Sequence, residues 1–140
     1  MPDAGGDAAC WAGQVCDACG GVLGPVHRCT RRVHLDHLRP GAGADGVVWS
    51  LAGDRQLDVN LVVLGPGSAI GEHDNDVVDV CLVVLSGSAT LVVDGLEHAL
   101  SAHELAFVPR GARRAITAGS EGVRYLSTHV ARAGPAIRTP

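Results

Sequence analysis

Lysine is absent from this chain of 140 residues: all eleven basic residues are arginine. That excludes Schiff-base catalysis and the phosphate-gripping lysine of Walker-type loops. Aromatic residues are nearly as scarce, with two Trp, one Tyr and one Phe, so a core must be built from Val, Leu and Ala. No apolar run approaches the roughly 18–20 residues that a membrane-crossing helix needs. The opening MPDAGGDAAC has neither the basic start nor the apolar stretch of a secretory signal, and the expected location is cytoplasmic. A net charge of −4 gives no overall attraction to phosphate backbones or anionic membranes, so neither nucleic acid nor a membrane is expected as a partner.

What is present points to strands. The chain is about one domain long, and 46% hydrophobic against 19% charged residues argues for a folded core. Valine richness with 19 Gly and 7 Pro favours short strands and tight turns over helices. Strands are expected near 47–52, 57–64, 77–85, 88–93, 96–100, 104–108, 112–117 and 122–130, with Asp94-Gly95 as a two-residue hairpin turn. Spacing of about ten residues between turn signals indicates an antiparallel sandwich or barrel. Residues 1–14 read as a flexible tail, 15–40 as a separate Cys/His-rich segment, 41–46 as a Gly/Ala linker, 47–130 as the barrel and 131–140 as a C-terminal tail.

Four of the five cysteines, Cys10, Cys16, Cys19 and Cys29, fall in the first thirty residues. In a reducing compartment they read as metal ligands or inert thiols, not disulfides. Cys16-x2-Cys19 followed by Gly20-Gly21 has the form of a zinc knuckle, with two thiolates on a tight turn and glycines admitting backbone amides to the sulfurs. Cys29 and His34 would complete a structural zinc site, with His27, His37 and Cys10 as alternatives. Arg28, Arg31, Arg32 and Arg39 share the segment and read as a solvated face. Cys81, inside an apolar strand, reads as a small core filler, and His98 and His103 flank a turn.

The stretch from Gly65 to Gly87, GPGSAIGEHDNDVVDVCLVVLSG, places His73, Asn75, Asp76 and Asp79 at the mouth of an apolar run. Polar groups at the end of a buried strand are rigidly held yet reachable, which suits a ligand site. Near the other end of the chain, Tyr125, Ser127 and His129 share one strand face by the period of two. Facing inward they join such a site; facing outward they are surface residues.

These residues resemble the cupins, small double-stranded β-helix (jelly-roll) barrels with two recurring motifs, G-x5-H-x-H-x(3,4)-E-x6-G and G-x5-P-x-G-x2-H-x3-N. Gly67, His73, Asn75 and Gly87 follow the order of the first, and Pro109-Arg110-Gly111 lies in the second. The resemblance covers about residues 47–130 and implies an all-β cupin barrel with a short N-terminal Cys/His-rich extension. It implies a homodimer too. It places the ligand positions of metal-binding members on His73, Asn75, Val80 and Arg114, with Asp79 one residue from the carboxylate position. Three of the four depart from the imidazole–carboxylate set that suits a divalent transition metal. The expected function is therefore binding or sensing of a polar or anionic small molecule without a barrel metal, by a pocket of His73, Asn75, Asp79, Arg114, Tyr125 and His129. In the alternative arrangement Arg114 pairs with Asp79 or Asp76, and His73 bonds a loop carbonyl. The rival function is a divalent-metal dioxygenase or isomerase on a degenerate His73/Asp79 site.

Overall fold

Runs of β-branched and aliphatic residues between glycine turns give seven strands in the computed structural model, which describes residues 14–17, 19–21, 30–38 and 45–131. They are β1 (Gly46–Ser50), β2 (Leu57–Leu64), β3 (Ala69–His73), β4 (Val80–Val93), β5 (Leu96–Ser101), β6 (Leu105–Val108) and β7 (Arg114–Val130). Most of both expected tails, the linker 41–44, and Cys10, His27 and Cys29 lie outside the described residues. The chain divides into two compact units, Met1–Leu35 and Asp36–Pro140. Among the described residues no helix is long and apolar enough to cross a membrane.

Strands β4 and β7 organise the fold because each serves two sheets. The first half of β4 pairs with β6 and with the second half of β7, which continues through β2 to β1. The second half of β4 pairs with β5 and with the first half of β7, which carries β3 on its other side. All pairings are antiparallel, and the two sheets close on one core cluster, a double-stranded β-helix.

The face that looks inward changes where each long strand changes sheet. On β4 the core residues are Val80, Leu82 and Val84 and then Ala89 and Leu91; on β7 they are Ile116 and Ala118 and then Val123 and Tyr125. Even positions give way to odd ones once on each strand, within 84–89 of β4 and 118–123 of β7, the stretch in which the β4–β7 register shifts, and an irregularity of this kind exchanges the faces of a pleated strand. Where separate strands were expected over 77–85 and 88–93, and over 112–117 and 122–130, the chain runs continuously through these bends. The Asp94-Gly95 hairpin forms as expected, with both residues at positive φ (49° and 84°) and Val93 opposite Leu96, as a two-residue turn of primed type requires.

No strand was expected over the residues of β3. Its Gly-Pro-Gly entry is pinned by Asp45, whose carboxylate accepts from Gly65 N at 2.6 Å and from Ser68 Oγ at 2.9 Å. Pairing of Ala69, Ile70 and His73 with Thr117, Ile116 and Arg114 then turns His73 and Arg114 into cross-strand neighbours. Tertiary pairing makes a strand of a segment too glycine-rich to read as one.

Candidate functional site

A cavity of about 260 Å³ opens between the two sheets, lined from one side by His73, Arg114 and Ile116 and from the other by Asn60, Tyr125 and His129. On β2, Asn60 alternates with Val62 and Leu64; on β7, Ser127 and His129 continue the alternation of Val123 and Tyr125, so all face the same interior. Register sets these side chains in rows, with Val62 opposite Tyr125, Asn60 opposite Ser127 and Asp58 opposite His129. The face shared by Tyr125, Ser127 and His129, open to either direction on sequence grounds, points inward.

Arg114 is the one charged residue among the buried ones described, at 8% exposure. Its Nη2 donates to Ala112 O at a long 3.4 Å, and its buried Nε has no hydrogen-bond partner. No ion pair to it forms among the described residues. Burial pushes its pKa down, and the charge of Asp74 opposes that shift. A buried guanidinium without a carboxylate in contact is costly, because desolvation is not offset by pairing.

The imidazoles are turned in a specific way. His73 Nδ1 lies 2.8 Å from Gly71 O, and His129 Nδ1 lies 2.9 Å from Val130 O. A carbonyl oxygen only accepts, so each Nδ1 carries the proton and Nε2 is the nitrogen left for an occupant. Asp58 stands 3.9 Å from His129 Nδ1 and is itself held by Arg55 at 2.7 Å. Tyr125 is 4% exposed, and burial pushes its pKa up to about 12, so at neutral pH its hydroxyl is protonated and serves as a hydrogen-bonding group.

Two expected pocket residues do different work. Asp79 is not in the cavity wall: it is exposed, and its Oδ1 accepts from Arg110 N at 2.9 Å. The one-residue offset from Val80, whose side chain enters the core, sends Asp79 to the opposite face. Asn75 does line the cavity, yet its Oδ1 accepts from Val77 N at 2.9 Å and Val78 N at 3.4 Å, while its backbone oxygen accepts from Gly111 N at 2.7 Å. It folds the loop, as Asx turns do. Arg114 therefore pairs with neither Asp79 nor Asp76, and the carbonyl that His73 bonds is that of Gly71 within β3, not one in a loop.

Sequence reasoning passed over Asp74 and Asn60. Asp74 directly follows β3, where no strand was expected. Asn60 shares its strand face with Asp58, so on sequence grounds that half of β2 reads as polar and outward; its Oδ1 accepts from Ser50 Oγ at 2.6 Å, leaving the amide nitrogen as donor.

The donor set does not fit a divalent cation. The four positions that the resemblance assigns to ligands hold one imidazole, an amide whose oxygen is occupied, an aliphatic core residue and a guanidinium. Among the described residues no three His, Cys, Asp or Glu side chains gather as a metal site. In the first unit, Cys16 N donates to Gly21 O at 2.8 Å and Gly20 N to Cys16 O at 2.7 Å. Gly21 N approaches Cys19 Sγ at 3.4 Å, and Gly20 takes a φ of 78° to close the turn.

Comparison with known proteins agrees with this architecture. An uncharacterised conserved protein with a double-stranded β-helix domain from Klebsiella pneumoniae superposes with a TM-score of 0.63 at 21% identity, covering 72% of this chain and 90% of its own. TT1209 from Thermus thermophilus gives 0.62 at 22% identity, covering 73% and 98%. KdgF from Halomonas sp. gives 0.57 at 16% identity, covering 63% and 80%. No curated protein matches the chain. The family described as Cupin domain matches residues 60–129, the span from Asn60 to His129 that frames the cavity, and the chain belongs to the cupin family.

Proposed function

We propose that the barrel binds a small organic anion, with Arg114 as the anchoring group and no metal taking part. The observation that carries this reading is the buried guanidinium with an unbonded Nε in a cavity wall. A carboxylate placed against the Nε–Nη edge would supply two charge-assisted hydrogen bonds and a countercharge in direct contact at once. The surrounding side chains, Val62, Ile70, Leu82, Val108 and Ile116 among them, suit an apolar body. At about 260 Å³ the cavity falls just below the roughly 300–1,000 Å³ of drug-sized pockets, so the occupant is small. Calorimetric titration tests this with hexanoate and its neutral isostere hexanamide. Saturable binding of hexanoate alone, lost in Arg114→Ala, is expected; equal binding of the amide, or no change in the variant, overturns it.

For the first unit, we propose a structural zinc held by Cys16 and Cys19. The favouring observation is the Gly21 amide directed at Cys19 Sγ, the contact by which knuckle turns stabilise thiolates. Of the completing ligands read from the sequence, His34 does not gather with Cys16 and Cys19, and Cys29 lies outside the described residues. One equivalent of zinc in the metal-free-buffer preparation, lost in a Cys16→Ser/Cys19→Ser variant, is the expected result; protein without zinc that keeps the same thermal stability refutes it.

A further inference from the structure

We propose that a second copy of this chain docks on the outer face of the sheet formed by β1, β2, β7, β4 and β6. Strand register sets that face out in rows. Trp49, Leu61, Leu126, Val83 and Leu105 stand opposite one another across all five strands, and Val59, Thr128, Cys81 and Phe107 form the next row across four of them. Leu57 and Val130 pair beyond these. On β2, β7, β4 and β6 these positions alternate with the core residues Val62, Tyr125, Leu82 and Val108, so they point away from the interior. None of them is charged. Cys81, read from the sequence as a core filler, belongs to this outer face.

A single chain leaves the face partly in water. Leu61 is fully covered, but Leu57, Leu105, Phe107 and Val130 are 51%, 63%, 59% and 61% exposed. Phe107 is the only phenylalanine of the chain, and it stands outside while valine and leucine fill most of the core. The other sheet shows that an outer face of this protein need not be apolar: the row across its four strands is Ala69, Thr117, Thr90 and Ala99, small or polar side chains that suit water.

Five strands about 4.8 Å apart and three rows about 6.8 Å apart make the apolar face roughly 20 by 14 Å. A stable interface buries about 800 Å² on each partner, with a charge-depleted, aromatic-containing core inside a polar rim. The face has the extent and composition of such a core, and the loops around it are available as rim. A second copy brings an equal uncharged face. Two twisted sheets pack face to face with their strands about 30° apart, and a two-fold pair closes without leaving an open end. A charged partner would find no countercharge in these rows.

Sedimentation equilibrium of the full chain at micromolar concentration is expected to give twice the monomer mass of 14.3 kDa. Leu105→Glu/Phe107→Glu puts charge on two exposed positions and is expected to yield a monomer with the far-ultraviolet spectrum of the wild type. Thr90→Glu, at an exposed position of the other sheet, is expected to remain dimeric. A monomeric wild type, or a folded Leu105→Glu/Phe107→Glu variant that stays dimeric, overturns the proposal. Hydrogen exchange of the wild type reads the face without any substitution: on dilution, amides of 104–108 and 126–130 are expected to exchange faster. A dilution response confined to 88–92 and 97–101 would put the contact on the other sheet and equally overturn it.

Discussion

Gly87 of β4 and Gly122 of β7 meet backbone to backbone: a Cβ on Gly87 would be driven into the Gly122 carbonyl, and one on Gly122 would stand 2.7 Å from Leu64 O. Both residues have φ of 78°, and both sit where the long strands pass from one sheet to the other. Gly87→Ala must therefore overcome a left-handed conformation and a clash with backbone atoms of the crossing strand. Gly95, at φ 84° in the β4–β5 hairpin, has open space around its Cβ position and tests the conformation alone. Urea denaturation is expected to show a loss of about 1 kcal/mol for Gly95→Ala, and about 3 kcal/mol or more for Gly87→Ala. Equal losses would mean that the two strands can separate at the crossing.

Tyr125 is the only tyrosine in the chain, so its titration is directly visible as phenolate absorbance. Its neighbours across the strands are Val62 and Val84, and burial raises its pKa to about 12 from the ordinary value near 10. A raised folded-state pKa means that its contribution to stability is fully present below about pH 10 and is lost as pH rises through about 12. The linked change is about 2–3 kcal/mol. Phenolate formation is expected to coincide with alkaline unfolding, whereas a midpoint near pH 10 in the folded protein would place the ring in water.

Asp79 separates a structural carboxylate from a ligand. It caps the 109–111 turn through Arg110 N, next to the Asn75–Gly111 backbone bond that joins the same two loops. Asp79→Ala is expected to lower stability by about 1–2 kcal/mol and to leave hexanoate affinity within about twofold. An effect on binding of tenfold or more, with unchanged melting, would return Asp79 to the site and revive the His73/Asp79 arrangement.

The fold was legible because its signals are local. Asp94-Gly95 specifies its own hairpin, and the Val/Leu-rich run of 57–64 marks a strand, although its apolar alternation at 57, 59, 61 and 63 names the face opposite to Val62 and Leu64, which join the core. The continuity of β4 and β7 was not legible, since glycines at 87 and 122 look like turns until a second strand is seen crossing them. The same limit governed the site. His73 and Arg114, separated by 41 positions, become neighbours only through the β3–β7 register, and β3 itself exists only because that pairing forms. Asp79 misled for the converse reason: its distance in sequence from His73 is short, but one step along a pleated strand decides the face.

Arg114 offers the sharpest opposition between stability and binding. A buried cation with no contacting carboxylate lowers stability, and well-packed apolar replacements of buried charges are often neutral or stabilising. Arg114→Met keeps the length and apolar character of the stem and removes both the charge and the orphaned Nε. In ligand-free buffer this variant is expected to unfold at higher urea than the wild type, by about 1–3 kcal/mol. A saturating carboxylate ligand should reverse the order. At a hundredfold excess over its Kd the wild type gains about 2.7 kcal/mol by mass action, and the variant gains nothing. Paired melts with and without hexanoate read both effects. Should Arg114→Met instead lose several kcal/mol in the absence of ligand, the guanidinium holds the barrel together and is not kept for an occupant.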